Sequence, residues 1–265
     1  MVPELNDHLS MDYAEDRYFY RVYSSTSIGA LRSGRYYHGH PALSENDLLD
    51  EFALHRRRNN RRPTAVVSVT NRPLEALHRA LEKRYLFDED PGTIWIVINR
   101  VPNDGDNCGP HHAQSLAETK KYSDAQVFEH EYQTKWEIPQ DYVKHRVSVK
   151  TLLSRGIERI IDLYFPEFRM TQNEFIKEIA NSEDFYGAGR LIGTLAQIFG
   201  TGEYTADIAS RILQDCLDVG HLDEDAQNVH FHTIRLCRGV DLTYIHYIDQ
   251  GIDDQLDAGN RWLEY

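Results

Sequence analysis

Three short polar groupings sit at the edges of stretches apolar enough to be strands: Arg21, Ser68-Val-Thr70 and Glu129-His-Glu131. A guanidinium carries five donors in a planar fork and stays charged at neutral pH, so Arg21 suits a phosphate-bearing ligand or an ion pair inside a sheet. Ser68 and Thr70 either serve a site or satisfy polar groups at a sheet edge. Positions two apart on a strand face the same side, so Glu129 and Glu131 can present both carboxylates to one cleft. The plainer alternative is an exposed edge acid, with Glu131 paired to Lys135.

The elements that must hold these groups can be read from pattern. Tyr18 to Tyr23 is β-rich, as is Thr64 to Thr70. Leu74, Leu77 and Leu81 recur at helical spacing, which predicts a helix over Pro73 to Arg84. Thr93 to Ile98 reads as a nearly continuous buried strand, and 103 to 110 has turn chemistry. Glu131 to Ile138 fits a strand that Pro139 interrupts, and Val143 to Val149 resumes extended character. Beyond Ser148 the pattern becomes helical: Leu152 to Tyr164, a capping-box spacing at Thr171 to Glu174, then segments near 183 to 199, 204 to 219 and 240 to 258. The expectation is an α+β protein with two parts, residues 1 to 150 mixed and residues 151 to 265 helical.

In order and separation these pieces resemble the mono-ADP-ribosyltransferase superfamily, in its cholera-toxin-like branch with an Arg, a Ser-x-Ser and a Glu-x-Glu motif. The resemblance rests on Phe19-Tyr-Arg-Val22, Val67 to Asn71 with the following helix, Ile94 to Ile98, and Glu129-His-Glu-Tyr132 leading to Ile138-Pro139. The same His-Glu-Tyr and Ile-Pro segment is similar to that of a poorly described fungal family without a function to carry over. The resemblance covers roughly residues 18 to 150 and implies a split β-sheet that takes NAD as substrate, followed by a helical accessory domain. It makes Arg21 the holder of the phosphate and ribose region, Ser68 the support of the catalytic glutamate, and Thr70 a stand-in for the second serine. Glu131 matches the catalytic glutamate, whose carboxylate stabilises an oxocarbenium-like ribose as nicotinamide leaves. One such interaction is worth about 3 kcal/mol. Glu129 matches the acid that prepares an acceptor, with arginine in a protein favoured. If it activates water instead, the same site is an NAD glycohydrolase. A noncatalytic interaction module on a degenerate scaffold is the third expectation, with the acidic helices docking a partner.

Composition narrows the setting. The net charge of −13 opposes nucleic-acid binding, and it is uneven. Residues 1 to 150 hold 20 basic and 22 acidic side chains, and residues 151 to 265 hold 9 and 20, so the first part can accept an anionic ligand. Its apolar runs are too short to span a bilayer. The N-terminus lacks a secretory pattern, and Cys108, Cys216 and Cys237 are too scattered for a disulfide framework. The expected compartment is cytoplasmic, with secretion or delivery into another cell as the alternative. No metal is expected, because His111-His112 and His230 with His232 lack companion ligands at a diagnostic spacing. Arg56 to Arg58 with Arg61 and Arg62 read as a solvated helix end or loop, and Gly187-Ala-Gly189 as a structural feature of a helix.

Overall fold

The computed structural model describes residues 17–57, 60, 62–102, 109–164, 184–218, 248 and 250–258. Six strands form one antiparallel sheet: β1 (Arg17–Tyr23), β2 (Val66–Thr70), β3 (Trp95–Val101), β4 (His111–His112), β5 (Glu131–Lys135) and β6 (Val143–Ser148), in the order β4-β5-β2-β1-β3-β6. Five of the strands lie within or overlap a segment expected from sequence, and β4 was not expected. The loop expected at 103 to 110 falls largely, and the capping box at Thr171 wholly, outside the described residues.

The sheet is unequal about β1. Every residue from Arg17 to Tyr23 pairs with β3, whereas β1 meets β2 only through Tyr20 and Thr70. Beyond that pair the two strands part. Alternation along β1 sends Tyr18 and Tyr20 to one core and Phe19 to the other. The first core receives α2 (Pro73–Tyr85) through Leu74, Leu77 and Leu81, with Pro73 at its first turn, where a missing N–H costs nothing. The second, smaller core gathers Phe19, Val67, Val69, Val101 and Ile138.

The described helical residues share one core with the sheet. α4 (Val149–Ser154), α5 (Ile157–Tyr164), α6 (Phe185–Phe199) and α7 (Thr205–Asp218) add Leu152, Ile157, Ile192, Phe199, Ile208 and Ile212 to the cluster that contains Tyr20 and Ile96. Among the described residues the core is therefore continuous across the expected boundary at 150, where the secondary structure changes. Two polar links reinforce it: the Tyr18 hydroxyl donates to Asp207 at 2.7 Å, and the buried Arg72 guanidinium donates to Asp215 at 3.0 Å. Arg72 is the residue that caps the start of α2. The single helix expected over Leu152 to Tyr164 is instead two, broken at Gly156 with φ +87°, a backbone that favours glycine. Gly189 has the structural role expected of it, since a Cβ there would lie 2.1 Å from the Ile248 carbonyl oxygen.

One positioning helix is not in the sequence-based expectation. α1 (Glu45–His55) starts at a capping box between Ser44 and Asp47 and buries Leu48 and Phe52. Phe52 packs with Ala113 and Ala117 of α3 (Ala113–Thr119). The arginine cluster begins at its C-cap, Arg56, which donates to Asp124 at 2.7 Å and stacks over Tyr122. That is a helix end, as expected, while Arg58 and Arg61 lie outside the described residues. No helix among the described residues is long and apolar enough to cross a membrane.

Candidate active site

The site is built where β1 and β2 part. Ser68 and Thr70 point to the same side of β2, and the antiparallel register sets Thr70 opposite Glu131 and Ser68 opposite Gln133 on β5. The Ser68 hydroxyl accordingly donates to Glu131 Oε1 at 3.0 Å. Gln133 Nε2 donates to the same oxygen at 2.6 Å and to Ser68 Oγ at 3.1 Å. From the other strand, Arg21 donates from Nη1 to the Ser68 carbonyl at 3.0 Å and from Nε to the Ala30 carbonyl at 3.3 Å. Both partners are backbone carbonyls. The ion pair considered as Arg21's alternative role is not found among the described residues.

A cleft of about 360 Å³ opens here, lined by Tyr20, Arg21, Ser68, Thr70, Arg79 and Lys83, together with Glu82 and Phe87. Phe87 stands 69% exposed, so the cleft has an exposed aromatic ring in its lining. Arg79 pairs with Glu75 on the next turn of α2, and Lys83 with Glu89 at 3.2 Å.

The electrostatics follow from burial. Glu131 is held above the ordinary carboxylate range by desolvation, which outweighs the stabilising pull of Arg79, Ser68 and Gln133; Glu75 adds to the upward shift. Arg21 is lowered to about 10, first by desolvation and then by Arg79, while Glu131 acts in the opposite sense. It remains a cation at neutral pH.

Two sequence-predicted residues are placed differently from the expectation. Thr70 is 2% exposed, and its hydroxyl donates to Glu75 at 2.5 Å while accepting from the Arg72 N–H at 3.2 Å. Its hydroxyl is thus committed to launching α2 and makes no hydrogen bond to Glu131. Glu129 does not share a strand face with Glu131. It caps a 3-10 turn over Ala125–Phe128 with φ −52° and ψ −38°, and β5 starts only at Glu131. A helical backbone at that position removes the period of two on which the shared face depended. The Glu129 carbonyl accepts from His112 Nε2 at 2.6 Å, and the Glu129 side chain, about half exposed, lies 3.8 Å from His130. His112 therefore has a local hydrogen-bonding role, and His230 and His232 lie outside the described residues.

Sequence reasoning missed His55, Gln133, Glu75 and Arg79. Gln133 lies two residues beyond Glu131, so strand period alone places it on the same face. His55 ends α1, and its ring spans Thr64 Oγ1 at 2.8 Å and Ser68 Oγ at 2.7 Å. Desolvation, reinforced by the Arg21 charge, lowers it to about 4, so it is neutral at neutral pH. The spacing Leu48, Phe52, His55 on one helical face was the available signal.

Residues 14–152 match the model of a family described as a domain of unknown function, DUF7587. The chain belongs to the DUF7587 family. The DUF7587 match holds all six strands and every residue of the site, and it ends inside α4, where the helical segment begins. No curated protein and no solved structure matches the chain.

Proposed function

We propose that the cleft binds NAD and that the protein is a mono-ADP-ribosyltransferase, releasing nicotinamide and passing ADP-ribose to an acceptor. The observation that carries this reading is the convergence of Arg21, Ser68 and Glu131, from three adjacent strands, at the place where β1 and β2 separate. A sheet that parts at one pair is also what supports the finer reading of the fold as an ADP-ribosyltransferase-like split sheet.

The chemistry suits the residues. Nicotinamide leaves as a neutral group, so no general acid is needed at the glycosidic bond. What the reaction needs is negative charge beside the ribose as positive charge develops on C1′ and the ring oxygen. Glu131 supplies it, steadied by donors from Ser68 and Gln133. Its burial raises the energy of the bare carboxylate, and the cationic nicotinamide-ribose end of NAD is a group that would relieve this. Arg21, with Arg79 and Lys83 along the same cleft, supplies positive charge for the pyrophosphate.

NAD glycohydrolase activity is the second reading, and the place of Glu129 favours it. An acid that is half exposed at the end of a turn, off the Glu131 face, does not set an acceptor by strand geometry. For transfer, arginine in a protein remains the acceptor best suited to a neighbouring carboxylate. The test is incubation of the purified chain with adenylate-labelled NAD and a cell extract, following nicotinamide release and covalent label together. Release with label on protein supports transfer, and release without it supports hydrolysis. Neither release nor saturable NAD binding would sink both readings and leave an interaction module on this scaffold.

A further inference from the structure

His55 lies outside every motif that pointed to the site, yet its ring contacts the Ser68 hydroxyl, which donates to Glu131. The hydrogen-bond inventory gives this contact a direction. An ionised carboxylate only accepts, so the single hydrogen of Ser68 is drawn to Glu131 Oε1 at 3.0 Å. Ser68 Oγ must then accept at its 2.7 Å contact with His55, which requires the hydrogen of the neutral ring to be on Nε2. Nδ1 is left as an acceptor, and the Thr64 hydroxyl is 2.8 Å away to donate to it. The reverse order, with Ser68 donating to His55 as in a nucleophilic dyad, would turn a serine lone pair toward the carboxylate. Such an arrangement is repulsive, and behind His55 it offers a threonine where an imidazolium would need an acid.

We propose that His55 is a positioning residue for Glu131: the chain Thr64, His55, Ser68 aims the serine hydroxyl at the carboxylate and holds it there. Gln133 supports the same oxygen from β5, while Arg79 and Glu75 from α2 and Arg21 from β1 are the charged groups that also act across the site. The local structure explains why a helix end can do this. The capping box fixes where α1 begins, Phe52 buries its face, and the Glu51 carboxylate accepts from the Ala65 N–H at 2.7 Å, locking the last turn beside β2.

The kinetic consequence rests on the NAD reading, but the hydrogen-bond chain does not, so the experiment reads both. Glu131 is followed by carbon-detected titration of its side-chain carboxyl in the full chain, alongside kcat and KM for nicotinamide release. His55→Leu is expected to move the Glu131 titration upward and to lower kcat about tenfold with little change in KM, because the Ser68 hydrogen bond to the charged carboxylate is no longer held in place. His55→Gln, whose amide nitrogen can reach the place of Nε2, should restore most of the loss in both readouts. Adding His55→Leu to Ser68→Ala should change Glu131 no further than Ser68→Ala alone. Should His55→Leu fail to fold, Thr64→Val keeps the ring and removes only the group that orders its tautomer, and a smaller upward movement is expected. An unchanged Glu131 titration in His55→Leu, or in Thr64→Val where that replaces it, overturns the proposal, as does equal loss in the Gln and Leu variants. A wild-type chain that releases no nicotinamide overturns the NAD reading while the titration still decides the role of His55.

Discussion

The two sides of the sheet about β1 are built on opposite terms. On the β3 and β6 side, β1 pairs with β3 along its whole length, β3 pairs with β6 through one bulge at Ile98 and Asn99, Ile96, Ile98 and Val147 are buried, and helices α4 to α7 continue the core. On the β2 and β5 side, pairing with β1 stops after Tyr20 and Thr70, and the corresponding face carries Ser68, Thr70, Glu131 and Gln133. Extensive pairing and apolar faces give a rigid half. The half that gives up pairing gains a cleft, and its polar groups are satisfied by one another and by α1 and α2. The site is held by the rigid half at two points, Arg21 reaching across from β1 and Arg72 tying the start of α2 to α7.

The contrast can be broken most severely at that second point. Arg72→Met leaves Asp215 buried without its guanidinium, which should cost about 3–5 kcal/mol in urea-melt stability, whereas the double variant with Asp215→Leu should recover much of it. If the single variant costs less than about 1 kcal/mol, the helices are not the support that the shared core implies.

On the open half, the largest effect is chemical. Glu131→Gln should lower nicotinamide release by about 10²-fold or more with folding intact. It should also change stability with pH in a stated direction. Because the folded carboxyl titrates above its unfolded value, Glu131's contribution is fully present below the unfolded value and is lost as pH rises through the folded one. The Gln variant should therefore lose less stability than wild type across that interval. His55 works in the opposite sense: lowered to about 4 from 6.5, it contributes stability above pH 6.5 that is lost as pH falls toward 4. His55→Gln should flatten that acid limb by on the order of 2 kcal/mol, read from melts between pH 7 and pH 4. Arg21→Lys is gentler: charge is kept, the fork that spans the Ser68 and Ala30 carbonyls is lost, and nicotinamide release should fall about tenfold.

Much of this architecture was legible because strands announce themselves locally. The β-rich composition of Tyr18 to Tyr23 and the apolar run of Thr93 to Ile98 required no knowledge of partners, and an ordered set of Arg21, Ser68 and Glu131 placed three groups on strands that turned out adjacent. What could not be read depended on approach in space. His55 is 13 residues from Ser68 and reaches it only because α1 lies across β2. Thr70 had the right chemistry for a binding hydroxyl, but the helix that follows brings Glu75 within 2.5 Å and claims it. Glu129 failed for a local reason. A spacing of two implies one face only where the backbone is extended, and the 3-10 turn over Ala125–Phe128 runs up to the residue in question.

Glu129 is also where the comparison between rigid and open halves is sharpest, because it tests whether the open half directs the acceptor or merely admits one. Glu131 is fixed by Ser68 and Gln133, so the step that cleaves NAD should be insensitive to a neutral isostere two residues earlier. Glu129, half exposed and held by the hydrogen bond between its own carbonyl and His112, can meet only a group that arrives from outside the cleft. Glu129→Gln should then leave nicotinamide release within about twofold while reducing covalent ADP-ribose on protein several-fold, a penalty of roughly 1 kcal/mol for one exposed charge contact. The two products are measured in one reaction so that enzyme concentration cancels. Equal proportional loss would place Glu129 with Glu131 in the cleavage step despite its turn backbone. No loss of either product would leave it as a rim acid, and would move the assignment toward a glycohydrolase whose acceptor is water.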